Sequence, residues 1–382
     1  MSHTKWRIRV PGNALIAGEY AILEPNQHAV VMAIDRFIII DIELSNENRL
    51  SLPDLGLDYL NWSSSGKEVV FNLTDSRLAF IKQTISVVNQ FLQEKNFPQD
   101  FFHLKIKSQL EDASGQKYGL GSSAALVVGV VSAILAFYKI HLSREEIFKL
   151  SVLSHLTVQK NGSGADIAAS TYGGWVYYSA YHSDWLENEL KKGGKITELL
   201  ETPWPNLMIT SLKPAPDLKW GIGWTGEAAT RGPMVEKIRK IRDNKPELYQ
   251  AFLQESYEAV AHLIQSFSKN DCGGAIKSIA DNREALKKLD EVAKIPIETE
   301  KLTRLCEIAN EYGSGKSSGT GGGDCGIAFV QGENKLRQLY KAWEQEGIHV
   351  LNMKVSHRGY FVRKQFYWEY KLNSDDGRKI IK

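Results

Sequence analysis

Cysteine is scarce in this 382-residue chain. Cys272, Cys306 and Cys325 are too few and too scattered for a disulfide framework or a zinc site, and they suit a reducing compartment. No apolar run reaches membrane-spanning length: the longest, Ala124 to Tyr138, is interrupted by Ser132 and reads as a buried core helix. Residues Met1 to Arg7 carry no apolar stretch of the signal-peptide kind, so the expectation is a cytoplasmic protein. An excess of one charge is missing too. The 47 Lys and Arg against 45 Asp and Glu leave +2, which gives no global reason to expect nucleic acid or an anionic membrane as partner. Repeats, low-complexity tracts and long linkers are also lacking.

What remains is an ordinary globular composition, 43% hydrophobic and 24% charged, on a chain long enough for two domains. Alternation predicts a first strand over Trp6–Val10, broken by Pro11-Gly12, then Val- and Ile-rich strands over Ala29–Ile34 and Phe37–Leu44. Residues 45–75 are polar and punctuated, and read as hairpins and surface loops. Leu78, Ile81, Ile85, Val88 and Leu92 put one apolar face on a helix over Arg77–Gln93. Phe102–Ile106 is a strand, and Ser143-Arg144-Glu145-Glu146 is a capping box opening a helix to about Lys160. Tyr172–Ala180 returns as a strand whose Trp175, Tyr177 and Tyr178 are packing residues. The stretch 184–202 reads as an excursion or boundary. Strands over Leu207–Ser211 and Gly221–Gly223 follow, then amphipathic helices between 232 and 312, a second glycine-rich loop and a strand–helix–strand ending. The polar tail Asn373–Lys382 is expected to fray.

Three segments carry chemistry. The sharpest is Lys117-Tyr118-Gly119-Leu120-Gly121-Ser122-Ser123-Ala124-Ala125, running straight into the apolar helix. Glycines let backbone N–H groups approach phosphate oxygens, and the helix start adds unpaired donors and partial positive charge. The serines add hydroxyls for phosphate or metal. It is neither the Walker nor the dinucleotide pattern, and its bland alternative is a turn capping a core helix. The second segment, Lys316 to Gly326, holds five glycines before the apolar run Ile327–Val330. It reads as a tight loop able to press its backbone on a ligand, or as a hairpin connection. The third, Gly162-Ser163-Gly164-Ala165-Asp166, places an acid among small residues, either as a base in a cleft or as a turn residue.

Together with Pro11-Gly12-Asn13-Ala14-Leu15-Ile16-Ala17-Gly18-Glu19-Tyr20-Ala21-Ile22-Leu23, these segments resemble the ordered motifs of the GHMP kinases. Gly-Glu-Tyr at 18–20, Lys117 ahead of the phosphate loop, Lys316-Ser317-Ser318-Gly319 and Gly223-Trp224-Thr225-Gly226 are similar to the bacterial phosphomevalonate kinase branch of that family. The resemblance implies an α+β fold of two domains: residues 1–200, like the second domain of ribosomal protein S5 and binding ATP, and residues 201–382, ferredoxin-like.

It also implies transfer of the γ-phosphoryl group of ATP, with Mg2+, to 5-phosphomevalonate, giving 5-diphosphomevalonate of the mevalonate pathway to isoprenoids. The protein would be a monomer or homodimer without nucleic-acid or membrane partners. Lys117 and Asp166 would be catalytic. Gly119, Leu120, Gly121, Ser122, Ser123 and Ala124 would hold the nucleotide, with Ser123 also on the metal. Asn13, Glu19, Tyr20, Ser163, Lys316, Ser318, Gly321, Gly322 and Asp324 would face the acceptor.

The chain departs from the motif at Asn13, where most relatives carry Lys, which removes a cation near two polyanions. Arg231, after Thr230, is read either as an acceptor-phosphate ligand or as a surface residue. His155 stands about where mevalonate kinases place a magnesium-binding Glu, and reads as a structural histidine. Two other readings stay open: a GHMP kinase for another acceptor such as mevalonate or a sugar, and a nucleotide-binding relative with impaired catalysis.

Overall fold

A computed structural model describes residues 3–65, 68–160, 162–227 and 231–367. Thr230, the side chain of Arg231 and the tail Asn373–Lys382 lie outside what it describes. The fold is α+β, built on two sheets. Among the described residues the larger has nine strands, and the smaller is four antiparallel strands in the order Gly313–Ser317, Cys325–Gln331, Leu218–Trp224, His349–Leu351.

In the larger sheet the first strand runs from His3 to Ala17, straight past Pro11-Gly12 where a break was expected. The reason is a register shift against the strand His28–Leu44 between Pro11 and Asn13. A bulge there absorbs a residue with no N–H to donate. Gly12 fits the bulge because a Cβ would stand 2.4 Å from Leu110 Cδ2 and 2.7 Å from the Leu120 carbonyl oxygen. The bulge thereby delivers Asn13 to the loop Gly119–Ser123. The two strands expected over 29–44 are a single strand, His28–Leu44. Residues 45–75 form the expected hairpins, with strands Arg49–Leu52, Leu57–Ser65 and Glu68–Phe71 paired antiparallel in sequence at the sheet's edge. Their outward polar residues mask the alternation, while Trp62 and Val69 are buried.

The helix Ser122–Phe137 lies at the centre of the core, apolar nearly all round because it is buried nearly all round. Gly129 lets it settle on the sheet: a Cβ there would be 2.7 Å from Ile40 Cδ1 and 3.3 Å from Val10 Cγ2. The expected apolar stripe of the helix Ala79–Glu94 faces the same core, with Ile81, Ile85, Val88 and Leu92 buried. The capping box forms as read: Ser143 Oγ accepts from the Glu146 N–H at 3.2 Å, and the Ser143 N–H donates to the Glu146 carboxylate at 2.7 Å. The stretch 184–202 folds into helices Ser183–Lys191 and Ile196–Glu201. Buried Lys149 ties the second of these down, donating to the carbonyls of Leu200 and Thr202.

The smaller sheet is covered by helices Glu300–Asn310 and Gly332–Gln345 through Leu305, Cys306, Leu339 and Trp343. A helical hairpin, Pro246–Ser268 and Cys272–Ala293, packs beside both sheets. Trp175 stitches the halves together, its ring 5.5 Å from Phe267, 5.9 Å from Phe329 and 6.5 Å from Trp220. Two later strands return to the first sheet: Met208–Leu212 beside Trp175–Ser179, and Phe361–Tyr367 beside His3–Ala17.

Candidate active site

The loop Gly119–Ser123 has the backbone its glycines foretell. Gly119 and Gly121 have φ of 80° and 70°, the left-handed region that a Cβ disfavours. Each is also crowded: a Cβ on Gly121 would stand 2.1 Å from Asn13 Nδ2, and one on Gly119 would stand 2.3 Å from Asp324 Oδ2. Gly121 is the N-cap of the core helix and offers no side-chain cap, so the first N–H groups of that helix stay available to an anion.

Asp166 lies in the first turn of the helix Ala165–Tyr172, not in a turn outside it. This second helix also starts from a left-handed glycine, Gly164, without a side-chain cap. Its place is set by Asn13, which is buried at the bulge. The Asn13 N–H donates to the Leu120 carbonyl at 3.0 Å, and its amide Nδ2 donates to the Asp166 carbonyl at 3.1 Å and to Ser170 Oγ at 3.3 Å. Ser170 Oγ in turn donates to the Pro11 carbonyl at 2.8 Å. One neutral amide therefore joins the first strand, the phosphate loop and the Asp166 helix.

The second glycine-rich loop is held by contacts to the first motif. Lys316 and Glu19, 0% and 1% exposed, form an ion pair, and Lys316 Nζ also donates to the Ser317 carbonyl at 2.6 Å. Burial pushes the Glu19 carboxyl up while Lys316 beside it pulls it down, and burial wins. Ser318 Oγ donates to the Leu15 carbonyl at 2.9 Å, and the Tyr20 hydroxyl donates to the Thr320 carbonyl. Gly321 and Gly322 turn away from the first motif: a Cβ on Gly321 would stand 2.2 Å from the Ile297 carbonyl, and the Gly322 N–H donates to that carbonyl at 2.8 Å. Asp324, at φ 56°, accepts on its carbonyl from the Thr225 N–H at 2.9 Å.

Between these elements opens a cavity of about 310 Å³, within the size of a small-molecule site. It brings together Asn13, Glu19, Tyr20, Gly119, Gly121, Ser123, Ala124, Ser163, Asp166 and Ser318. Lys117, Leu120, Ser122, Lys316, Gly321, Gly322 and Asp324 are not on its wall. Lys117 is exposed and bridges Glu111 across a short hairpin leading into the loop.

Residues that sequence reasoning passed over also line it, among them Gln159, Tyr181 and Thr320. Gln159 stands four residues after His155, a spacing that would have placed the two on one face. His155 is buried, as a structural histidine would be, yet it lines the cavity with Nε2 3.4 Å from Ser123 Oγ. Burial holds its imidazole down to about 4, so it is neutral near pH 7. Among the described residues no three His, Cys, Asp or Glu side chains cluster as a metal cage. The Ser123 hydroxyl and Asp166 carboxylate in one cavity are nonetheless the hard-oxygen donors that suit Mg2+ when substrate phosphates supply the remainder.

Residues 79–174 match the family described as GHMP kinases N terminal domain, and residues 234–349 match GHMP kinases C terminal. The chain is similar to the phosphomevalonate kinase of Streptomyces sp. (strain CL190): 32% identical over 352 residues, covering 88% of this chain and 94% of that protein. Among solved structures, a Listeria innocua protein superposes with a TM-score of 0.88 at 35% identity, over 94% of this chain and 99% of that one. The phosphomevalonate kinase of Streptococcus pneumoniae, solved with phosphomevalonate and AMPPNP, gives a TM-score of 0.80 at 28% identity, over 91% and 99%. Identity at this level over nearly the full length of a kinase means that the chain belongs to the GHMP kinase family of ATP-using phosphotransferases.

Proposed function

We propose that the chain phosphorylates 5-phosphomevalonate with ATP, giving 5-diphosphomevalonate and ADP. The observation that carries this reading is the pair of helix starts, Gly121–Ser123 and Gly164–Asp166, that open on one cavity from glycine N-caps, the second with its Ala165 N–H donating to Ser163 Oγ at 3.3 Å. Each is an anion site. Two phosphorylated substrates bring a phosphate to each, whereas a neutral sugar would leave one without an anion and mevalonate would bring only its carboxylate. The similarity to the Streptomyces and Streptococcus phosphomevalonate kinases points the same way.

The chemistry asks little of a base. An oxygen of the acceptor phosphate is already anionic, so the new bond to the γ-phosphorus forms as the bond to the β,γ-bridging oxygen breaks, with ADP leaving. Positioning and charge neutralisation supply the rate. In this reading Gly119–Ala124 cradle the nucleotide phosphates, Lys117 flanks them from the solvent side, and Ser163 and Asp166 orient the acceptor. Ser123 and Asp166 would hold Mg2+, which would supply neutralisation of phosphate charge. Asn13 contributes position in place of the charge its motif usually carries. The ATP-binding domain spans residues 1–200 and its partner domain 201–382, the latter lending two strands to the first sheet. The enzyme acts in the cytoplasm as a monomer or homodimer.

Coupled ADP release with ATP and Mg2+ tests this against 5-phosphomevalonate, mevalonate, galactose and homoserine. Turnover confined to 5-phosphomevalonate is the expected result, and turnover with another acceptor alone would overturn the substrate. Silence across the panel with ATP bound would favour the binding-only reading, which the neutral Asn13 supports.

A further inference from the structure

The reacting cavity has a charge problem. Its described wall holds two carboxylates, Glu19 and Asp166, and no lysine or arginine. Lys316, the nearest buried cation, is engaged by Glu19. The helix starts serve phosphate there, while the described cationic side chains available to a second negative charge on the acceptor line an adjoining chamber.

Next door is a second chamber of about 770 Å³. It shares Ile22, Leu23, Leu156, Gly162, Ser163, Tyr181 and Val235 with the first, so the two adjoin. Its wall carries Lys160, Arg239 and Arg242. Arg242 is occupied, with Glu24 at 3.4 Å and Asp243 at 3.2 Å. Lys160 and Arg239 have no carboxylate within ion-pair distance among the described residues. Both flank the junction. Lys160 lies just ahead of Gly162 and Ser163, which border both chambers, and Arg239 follows Val235 by one turn of the helix Arg231–Asn244. The opposing acids do not cancel this pair. Glu24 is held by Arg242 and by the Tyr249 hydroxyl at 3.0 Å, and Glu187 lies 3.5 Å from Lys191. Asp184 remains on the far helix, Ser183–Lys191.

We propose that Arg239 and Lys160 form a subsite at the chamber junction for a carboxylate at the end of the acceptor remote from its phosphate. The phosphate end lies inward by Ser123, Ser163 and Asp166, and the apolar residues of the shared wall, Ile22, Leu23, Leu156 and Val235, cover the carbon chain between the two charges. The subsite selects acceptors that are anionic at both ends, with the guanidinium able to grip the carboxylate through two N–H groups. It rests on the phosphomevalonate reading above and adds to it the residues that recognise the acid.

The test compares 5-phosphomevalonate with its carboxamide, which keeps the phosphate and loses the acid charge. Wild type, Arg239→Gln, Lys160→Gln, the double variant and Arg239→Lys are assayed with both acceptors, with melting temperatures recorded to confirm folding of these exposed-site variants. Wild type should show a KM about tenfold or more higher for the carboxamide. The two Gln variants should raise KM for the acid by a similar factor, leave KM for the carboxamide and for ATP unchanged, and so erase the discrimination. Arg239→Lys should keep part of it. Turnover of 5-phosphomevalonate with an acid-to-amide ratio unaltered in the double variant would overturn the subsite and spare the function. No turnover of 5-phosphomevalonate by wild type would overturn both.

Discussion

The two glycine-rich loops meet where Gly119 abuts Asp324, yet they use glycine for opposite ends. In the loop Gly119–Ser123 the glycines free a helix start, and Gly119, Gly121 and Ser123 face the cavity. In the loop Lys316–Asp324 they let backbone press on backbone. Several of its polar groups are spent inside the protein, Lys316 on Glu19, Ser318 on Leu15, and the Gly322 N–H on Ile297, while Ser318, Gly319 and Thr320 also border the cavity. One loop leaves its helix start open to the cavity, and the other holds two distant segments of chain together. Similar composition thus conceals a division between binding and bracing, and substitutions should separate the two.

The largest effect belongs to the brace. Lys316→Met leaves the Glu19 carboxylate buried without its cation, and stability should fall by about 3–5 kcal/mol. Urea denaturation reads the loss directly. The double variant Glu19→Gln with Lys316→Met removes both charges and should recover much of it. Equal losses in the single and double variants would mean that the pair's charge is not what matters.

Next comes the floor of the receiving loop. Between pH about 4 and 6.5 an unfolded chain binds a proton on His155 that the folded chain, with its imidazole held to about 4 by burial, refuses. Stability therefore rises with pH across that window and is lost as acid is added, by about 3 kcal/mol over the whole of it. Denaturation at pH 7 and 4.5 in chelator should show a marked fall in wild type and a shallower one in His155→Gln. Identical slopes would remove His155 from the account.

How legible was this division beforehand? The helix Ala79–Glu94, the capping box at Ser143 and the phosphate loop itself were readable, because each is written in residues a few positions apart. The brace was not. Glu19 and Lys316 stand 297 positions apart, and nothing local in either segment announces the other. The passage of the first strand through Pro11-Gly12 was hidden for a related reason, since a bulge is set by the partner strand and not by the residues that bulge. Asn13 was noticed as a missing charge. Only the fold shows it as the amide that joins the loop to Asp166 and Ser170.

That junction gives a third way to break the receiving loop. Gly121→Ala forces a side chain to φ 70° and sets its Cβ 2.1 Å from Asn13 Nδ2. Turnover should fall about 100-fold, roughly 2.7 kcal/mol of barrier, with ADP release as the measure. Adding Asn13→Ala removes the obstructing amide and should restore part of the loss, although the strain of the left-handed backbone persists. No recovery would place the damage in the backbone alone.

The smallest effect draws the sharpest contrast, because it changes the same residue type in each loop. Ser318 Oγ donates to the Leu15 carbonyl, so Ser318→Ala strips that carbonyl of its partner and should cost about 1 kcal/mol of stability. Ser123 faces the cavity with only a 3.4 Å approach to His155 Nε2, so Ser123→Ala should leave stability nearly unchanged. Its cost should appear in turnover instead, about tenfold, and should shift the Mg2+ concentration needed for half-maximal rate. Denaturation and ADP-release assays on both variants form a two-by-two comparison. If Ser318→Ala lowers turnover as much as Ser123→Ala at temperatures where both are folded, the bracing loop also takes part in binding, and the division between the loops fails at that residue.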